Sequence, residues 1–285
     1  MSISLKDKSI IICSIVRNAE RGLKRNIPVI DAFCSKFNDY KIVVYENNSA
    51  DHTKELLKAW HLNDTERIHT IMEDTDAQAT IPSSRAVTGN PFFCYKRIAK
   101  MANLRNQYMD YVEKMGWKAD YLMVVDLDVA QLYLKPLLSS FELNVSWDAV
   151  AAYGYSTSPR LRRRYHDSYA LWENGEENTP KTEATIKEYA DKYAELCKEG
   201  KPIPVYSAFG GVAIYKYEAI AGLRYQTLDN GDDAVEVKCE HFSIYKQMHD
   251  RGFKQIYINP LMYLKYQDLT WRIAWNSFKR IFLNK

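Results

Sequence analysis

The residues with the clearest capacity for chemistry are Asp126 and Asp128, which close the apolar run Tyr121–Val125 with one leucine between them. Two carboxylates at the end of a buried strand cannot both leave water without a cation. In an open α/β sheet, ligands collect at the carboxyl ends of the strands. Mg²⁺ or Mn²⁺ suits a few carboxylates completed by phosphate oxygens. The pair therefore points to a divalent metal shared with a nucleotide diphosphate; a solvated turn is the plain alternative. His241 offers an imidazole as a third metal ligand. Asp232 and Asp233, after Gly231, form another acidic pair that reads equally as a turn.

Further polar groups fall where such a ligand would need them. Glu46 ends a second apolar run, Lys41–Tyr45, where a carboxylate accepts hydrogen bonds from ribose hydroxyls or a base N–H. Arg97, Met101, Arg105 and Met109 are spaced by four, so one helical face carries two guanidinium forks suited to diphosphate oxygens. Glu240 opens a helix, where the dipole favours its charge, as an acceptor-hydroxyl base or a sugar-binding carboxylate. Gly210-Gly211 interrupts an apolar stretch, marking a bulge, close approach of a ligand, or a packing contact. Ser207 can hydrogen-bond a sugar hydroxyl. Arg160, Arg162, Arg163 and Arg164 form either a solvated basic loop or a cover over phosphate.

These residues need a scaffold, and the pattern supplies one. Apolar runs at 9–15, 41–45, 67–72, 121–125, 149–155, 204–215 and 255–258 alternate with helical periodicity, which predicts an α/β fold. The helices are expected over 23–37, from about 51, at 93–113, 182–198 and 240–250, with Ser49 or Asp51 capping the second. Residues 73–93 and 156–181 read as loops. One domain over 1–264 is followed by a tail, 265–285.

With 285 residues, 46% apolar and 26% charged, the chain can bury a full core, which excludes a disordered or collagen-like protein. A net charge of +3 is too small for general nucleic-acid binding. The tail carries a net +4, with Trp271, Trp275, Phe278 and Phe282 in a stripe, and reads as an amphipathic helix on an anionic membrane or packed on the domain. Five unpaired cysteines and the lack of an export signal suggest a cytoplasmic protein, peripheral on the inner face of a membrane.

Seven stretches, in order, resemble glycosyltransferase family 69, the fungal capsule-associated α-1,3-mannosyltransferases. They are Ile15-Val16-Arg17-Asn18, YENNSADHTKELL from Tyr45, RIAKMANLRN from Arg97, VVDLDV from Val124, YHDSYALWENG from Tyr165, PVYSAFGGVAIY from Pro204 and CEHFSIYKQM from Cys239. The resemblance implies a GT-A type, Rossmann-like mixed sheet with helices on both faces, and a GDP- or UDP-sugar donor. It implies Arg17 and Glu46 at the nucleoside, Arg105 at the diphosphate, and Asp126 and Asp128 at the metal and donor. Gly210 and Gly211 would approach the sugar, and Asp167 the donor or acceptor sugar. The chain departs from the family in Asp126-Leu127-Asp128, where Asn-Asp-Val is common, and in lacking an N-terminal membrane anchor. The expectation is a metal-dependent glycosyltransferase acting on a polysaccharide, glycan or lipid-linked acceptor in cell-surface glycan synthesis. A sugar-phosphate nucleotidyltransferase is the rival, weakened by the absence of glycines in residues 15–20; a non-catalytic sugar-binding module is the other.

Overall fold

A computed structural model describes residues 4–74, 90–157, 162–268 and Trp275. Its strands are β1 (Ser9–Val16), β2 (Asp39–Asn47), β3 (Ile68–Glu73), β4 (Tyr121–Val125), β5 (Ala149–Thr157), β6 (Arg163–Tyr165), β7 (Ile203–Pro204), β8 (Val212–Lys216) and β9 (Ile256–Lys265). Its helices are α1 (Glu20–Cys34), α2 (Thr53–Asn63), α3 (Tyr95–Lys114), α4 (Leu134–Leu138), α5 (Glu183–Leu196), α6 (Tyr217–Ile220) and α7 (Glu240–Asp250). The strands form one mixed sheet in the order β3-β2-β1-β4-β8-β5-β9-β7, with β6 beside β5. This is the mixed sheet expected of a GT-A type domain.

The first four strands are parallel, and β8 enters antiparallel to β4. After β1 the chain winds outward through β2 and β3, then returns by α3 to place β4 on the other side of β1. That reversal leaves a crevice between the carboxyl ends of β1 and β4, where helices cannot cover the sheet. The strands bury both faces, so alternate residues feed two cores. Ile11, Cys13, Leu122 and Val124 pack with α3 and α7, while Ile10, Ile12, Met123 and Val125 pack with α1 and α2.

The apolar runs became strands, but three expectations change. The stretch 204–215 is not one strand: β7 and β8 are separated by a turn containing Gly210 and Gly211, both at positive φ. The basic loop contains β6, held by pairing with β5 and by Arg164 bridging to Asp191 at 2.7 Å. The last strand runs to Lys265, well past Ile258, because β5 offers it a parallel edge as far as Tyr155. The domain therefore passes the expected boundary at 264, and Tyr266 and Asp268 pack on it rather than belonging to a separate tail. Trp271, Phe278, Phe282, Arg160 and most of the 73–93 loop lie outside the described residues; Trp275 is exposed. Among the described residues no helix is long and apolar enough to cross a membrane.

Candidate active site

A cleft of about 530 Å³ opens at the strand reversal. Ile15, Val16 and Arg17 line it from the end of β1, Tyr45 and Asn47 from β2, and Asp126 and Asp128 from the turn after β4. One face of α3, carrying Arg97, Lys100, Met101, Leu104 and Arg105, forms a wall, and Tyr266 completes it.

The carboxylate turn is held from below by α1. Asn26, fully buried in the apolar stripe of that helix, donates its amide to the carbonyls of Leu127 (3.0 Å) and Val129 (2.8 Å). Its oxygen accepts the amide of Leu132 at 2.9 Å. One turn earlier, Gly22 lies so close that a Cβ would stand 2.5 Å from the carbonyl oxygen of Leu127 and 2.7 Å from Cα of Asp128. The amide of Asp126 donates to the carbonyl of Gly211 at 2.9 Å. The pair is thus fixed by backbone-directed contacts on two sides, as a preorganised site requires.

The two carboxylates differ in their surroundings. Asp126 accepts from Nη2 of Arg105 at 3.3 Å and from the hydroxyl of Tyr266 at 3.1 Å. Asp128 has no side-chain partner among the described residues; it is exposed, and it lines the cleft with the protein close behind it. Burial, with repulsion from Asp126, pushes its pKa up to about 7. Arg105 also donates Nε to Glu240 at 3.0 Å, and its Nη1 has no acceptor. Burial opposes the guanidinium charge, but Asp126 and Glu240 outweigh it, so Arg105 stays protonated. Burial meanwhile raises Asp126 against the pull of the same Arg105. The two shifts conflict over one ion pair, and the geometry explains why. A single cation serves Asp126 and Glu240, with Asp128 and Asp167 close enough to repel Asp126. Around Arg105, at the carboxylate turn, acids outnumber the one cation.

That excess fits a divalent cation. Asp126 and Asp128 supply oxygen ligands at one turn, Asp128 has no protein partner, and the cleft leaves room for phosphate oxygens. Among the described residues no group of three His, Cys, Asp or Glu side chains could hold a metal, so a third protein ligand is absent from this arrangement. An oxygen-rich, incomplete set suits Mg²⁺ or Mn²⁺ completed by substrate.

Several expected site residues sit elsewhere. His241 does not join Asp126 and Asp128: its ring stacks on Phe209 at 3.7 Å and abuts Tyr225, neither ring nitrogen has a hydrogen-bond partner among the described residues, and Nε2 lies 3.8 Å from Glu240. Glu240 is buried behind the cleft wall in its pair with Arg105, which makes it a positioning residue rather than an exposed base. Arg105 in turn gives Nε and Nη2 to acids, and only its Nη1 is left without an acceptor at the cleft. Glu46 is fully buried and absent from the cleft lining; its Oε1 accepts the amide of Ser49 at 2.6 Å and shapes the turn after β2. Gly210 serves packing: a Cβ there would stand 2.1 Å from the carbonyl oxygen of Ala152, and one on Gly211 would touch the Tyr266 ring at 3.2 Å. The close approach seen here is to β5 and Tyr266. Ser207 donates to the carbonyl of Ala170, and Asp232 accepts the amides of Ala234 and Val235 as a turn residue. Arg17, Arg97, Asp126 and Asp128 do share the cleft. Asp167 is partly exposed beside it, accepting the amide of Gly210 at 3.2 Å.

Sequence reasoning missed Lys100, Tyr266, Asn26 and Gly22. Lys100 follows Arg97 by three on the same helical face. Asn26 is a polar residue inside an apolar stripe. Those signals were present; Tyr266 had none, because its position depends on how far β9 runs.

The burial of His241 has a measurable consequence. Burial holds its pKa well below the usual histidine range, with Arg105 adding to the effect. An unfolded chain would protonate this ring near pH 6.5 while the folded chain cannot. Its contribution is therefore intact above about pH 6.5 and lost as pH falls below it, at about 1.4 kcal/mol per pH unit. In His241→Phe the acid limb of the stability curve should flatten by one proton, read by urea unfolding between pH 4 and 7. His166 and His249, also lowered by burial, keep the remainder. An unchanged slope would contradict a neutral buried ring.

The family model of cryptococcal mannosyltransferase 1 matches residues 9–246, which takes in the cleft, the carboxylate turn and α7. The chain belongs to that family. It is a glycosyltransferase family, as the order of motifs led us to expect. No curated protein matches the chain. Solved structures with distant likeness include a mannosyltransferase from Pyrobaculum calidifontis in complex with GDP-Man and Mn²⁺, 13% identical, covering 89% of this chain and 57% of that one, with a TM-score of 0.43. A mycobacterial protein is 14% identical, covering 96% and 72%, with a TM-score of 0.47. Glucosyl-3-phosphoglycerate synthase from Mycobacterium tuberculosis, in complex with Mn²⁺, UDP and phosphoglyceric acid, is 12% identical, covering 96% and 76%, with a TM-score of 0.44. The chain spans little more than half the length of the first of these.

Proposed function

We propose that this protein transfers a sugar, in keeping with its family a mannosyl group, from a GDP- or UDP-sugar to an acceptor hydroxyl, and that Asp126 and Asp128 hold the Mn²⁺ or Mg²⁺ the reaction requires. The observation that carries this reading is the shared cleft at the strand reversal: two carboxylates on one side, a basic helical face on the other. When bound, a divalent cation there neutralises charge on the departing nucleoside diphosphate.

The chain's own residues do the rest. Asn26, Gly22 and the carbonyl of Gly211 fix the turn that presents the carboxylates. Arg105 and Tyr266 orient Asp126 from behind. Tyr45, Ile15 and Val16 give the cleft an apolar side on which a nucleoside packs. Burial, with repulsion from Asp126 and Glu240, raises the pKa of Asp167 to about 7, so this carboxyl can exchange a proton with an acceptor hydroxyl near neutral pH. The acceptor is taken to be a polysaccharide, glycan or lipid-linked sugar of the cell surface, with the basic tail resting on a membrane.

A thermal-shift screen of GDP- and UDP-sugars, each with Mn²⁺ and with EDTA, tests the reading. At a hundred times its dissociation constant the correct donor adds about 2.7 kcal/mol, and the melting temperature should rise by a few degrees only when metal is present. No shift with any donor, together with no nucleoside diphosphate released in the presence of glycan acceptors, would refute it.

A further inference from the structure

Arg105 commits Nε and Nη2 to Glu240 and Asp126 and keeps only Nη1 without an acceptor, so a diphosphate entering the cleft has less than a full fork there and needs further cations. The same helix supplies them. Residues 97, 100, 101, 104 and 105 of α3 follow the spacing of one stripe, and all five line the cleft. Arg97 is partly engaged, since its Nη1 donates to the carbonyl of Phe92 at 2.9 Å. Lys100 is half-buried and faces Arg17, which leaves the end of β1. Among the described residues neither Arg17 nor Lys100 has a hydrogen bond or an ion pair.

Two like charges face one cleft with no acid bonded to either, and an anion bound between them would relieve their repulsion. Burial lowers the pKa of Lys100, and repulsion from Arg17 lowers it further. The position is also apt. In the β1–β4 register Cys13 pairs with Val124, so the chain leaving β1 at Arg17 emerges beside the Asp126–Asp128 turn. One ligand can therefore meet both features. A guanidinium fork and an ammonium point charge are the usual donors to phosphoryl oxygens.

We propose that Arg17 and Lys100 form an anion site for the diphosphate of the donor, distinct from the carboxylate pair and able to hold phosphoryl oxygens without a metal. The inference rests on the nucleotide-sugar reading for the identity of its ligand. It reassigns Arg17 from the nucleoside to the phosphates and gives Lys100 a role.

The test is calorimetric titration of the whole chain, in EDTA, with guanosine diphosphate, uridine diphosphate, inorganic pyrophosphate and inorganic phosphate. The diphosphates should bind without metal, and more weakly as salt is added. Lys100→Gln and Arg17→Gln should each weaken that binding by about tenfold or more, the value of one charge-assisted hydrogen bond. Lys100→Arg should keep most of it. Melting temperatures near that of the unmodified protein would show that both Gln variants fold. Unchanged diphosphate affinity in the two Gln variants overturns the proposal. So does binding seen only with Mn²⁺, or inorganic phosphate binding as tightly as pyrophosphate. The two readings fail separately. Absence of sugar transfer leaves metal-free binding and its loss in the variants intact. Metal-dependent transfer with no binding in EDTA removes this site alone.

Discussion

Arg105→Met is expected to destabilise the fold by about 3–5 kcal/mol, the usual consequence of removing one partner from a buried charge network. Arg105 is only 3% exposed, and its two bonds go to Asp126 and Glu240, which are themselves buried. Methionine fills much of the volume but leaves both carboxylates without their cation, beside Asp128 and Asp167. Urea unfolding gives the number. Arg105→Lys should recover little, because Nε and Nη2 point to different acids and a single ammonium cannot reproduce the fork. A loss below about 1 kcal/mol in Arg105→Met, the range of an exposed ion pair, would mean that the network contributes little to the folded state.

Asp126→Asn and Asp128→Asn are expected to cut turnover by about a hundred- to a thousandfold each, the range for removing one element of electrostatic stabilisation in a preorganised site. Their effects on stability should diverge. Asp128 has no side-chain partner among the described residues and is repelled by Asp126, so its replacement should not lower the melting temperature and, by relieving that repulsion, should raise it at neutral pH. Asp126 accepts from Arg105 and Tyr266, so losing its charge should lower the melting temperature. In both variants the difference in donor thermal shift between Mn²⁺ and EDTA should vanish. Near-normal turnover in both would end the assignment of the metal to this pair.

The strands and helices were legible because burial imposes its period on the chain. Continuous apolar runs such as Ser9–Val16 and Tyr121–Val125 can only be central strands covered on both faces. The stripe of Leu23, Ile27, Ile30 and Phe33 fixes α1 despite Pro28. Elements that depend on pairing were not legible in this way. β6 and the far half of β9 exist because β5 offers each an edge, and neither carries an apolar run long enough to declare itself.

The same division runs through the site. Local sequence placed Asp126 and Asp128 at the mouth of a sheet and put Arg97 and Arg105 on one helical face, because strand ends and helical spacing are short-range properties. It could not decide which charges meet. Arg105 and Glu240 are 135 residues apart, and only the packing of α7 against α3 turns a supposed phosphate ligand and a supposed base into partners. His241 looked like a metal ligand until Phe209 took its face, and Gly210 looked like a sugar contact until β5 occupied the space. Residue type states what a group can bind; the tertiary structure decides which of its possible partners lies nearest, and a buried charge takes the nearest one because leaving it unpaired costs several kcal/mol.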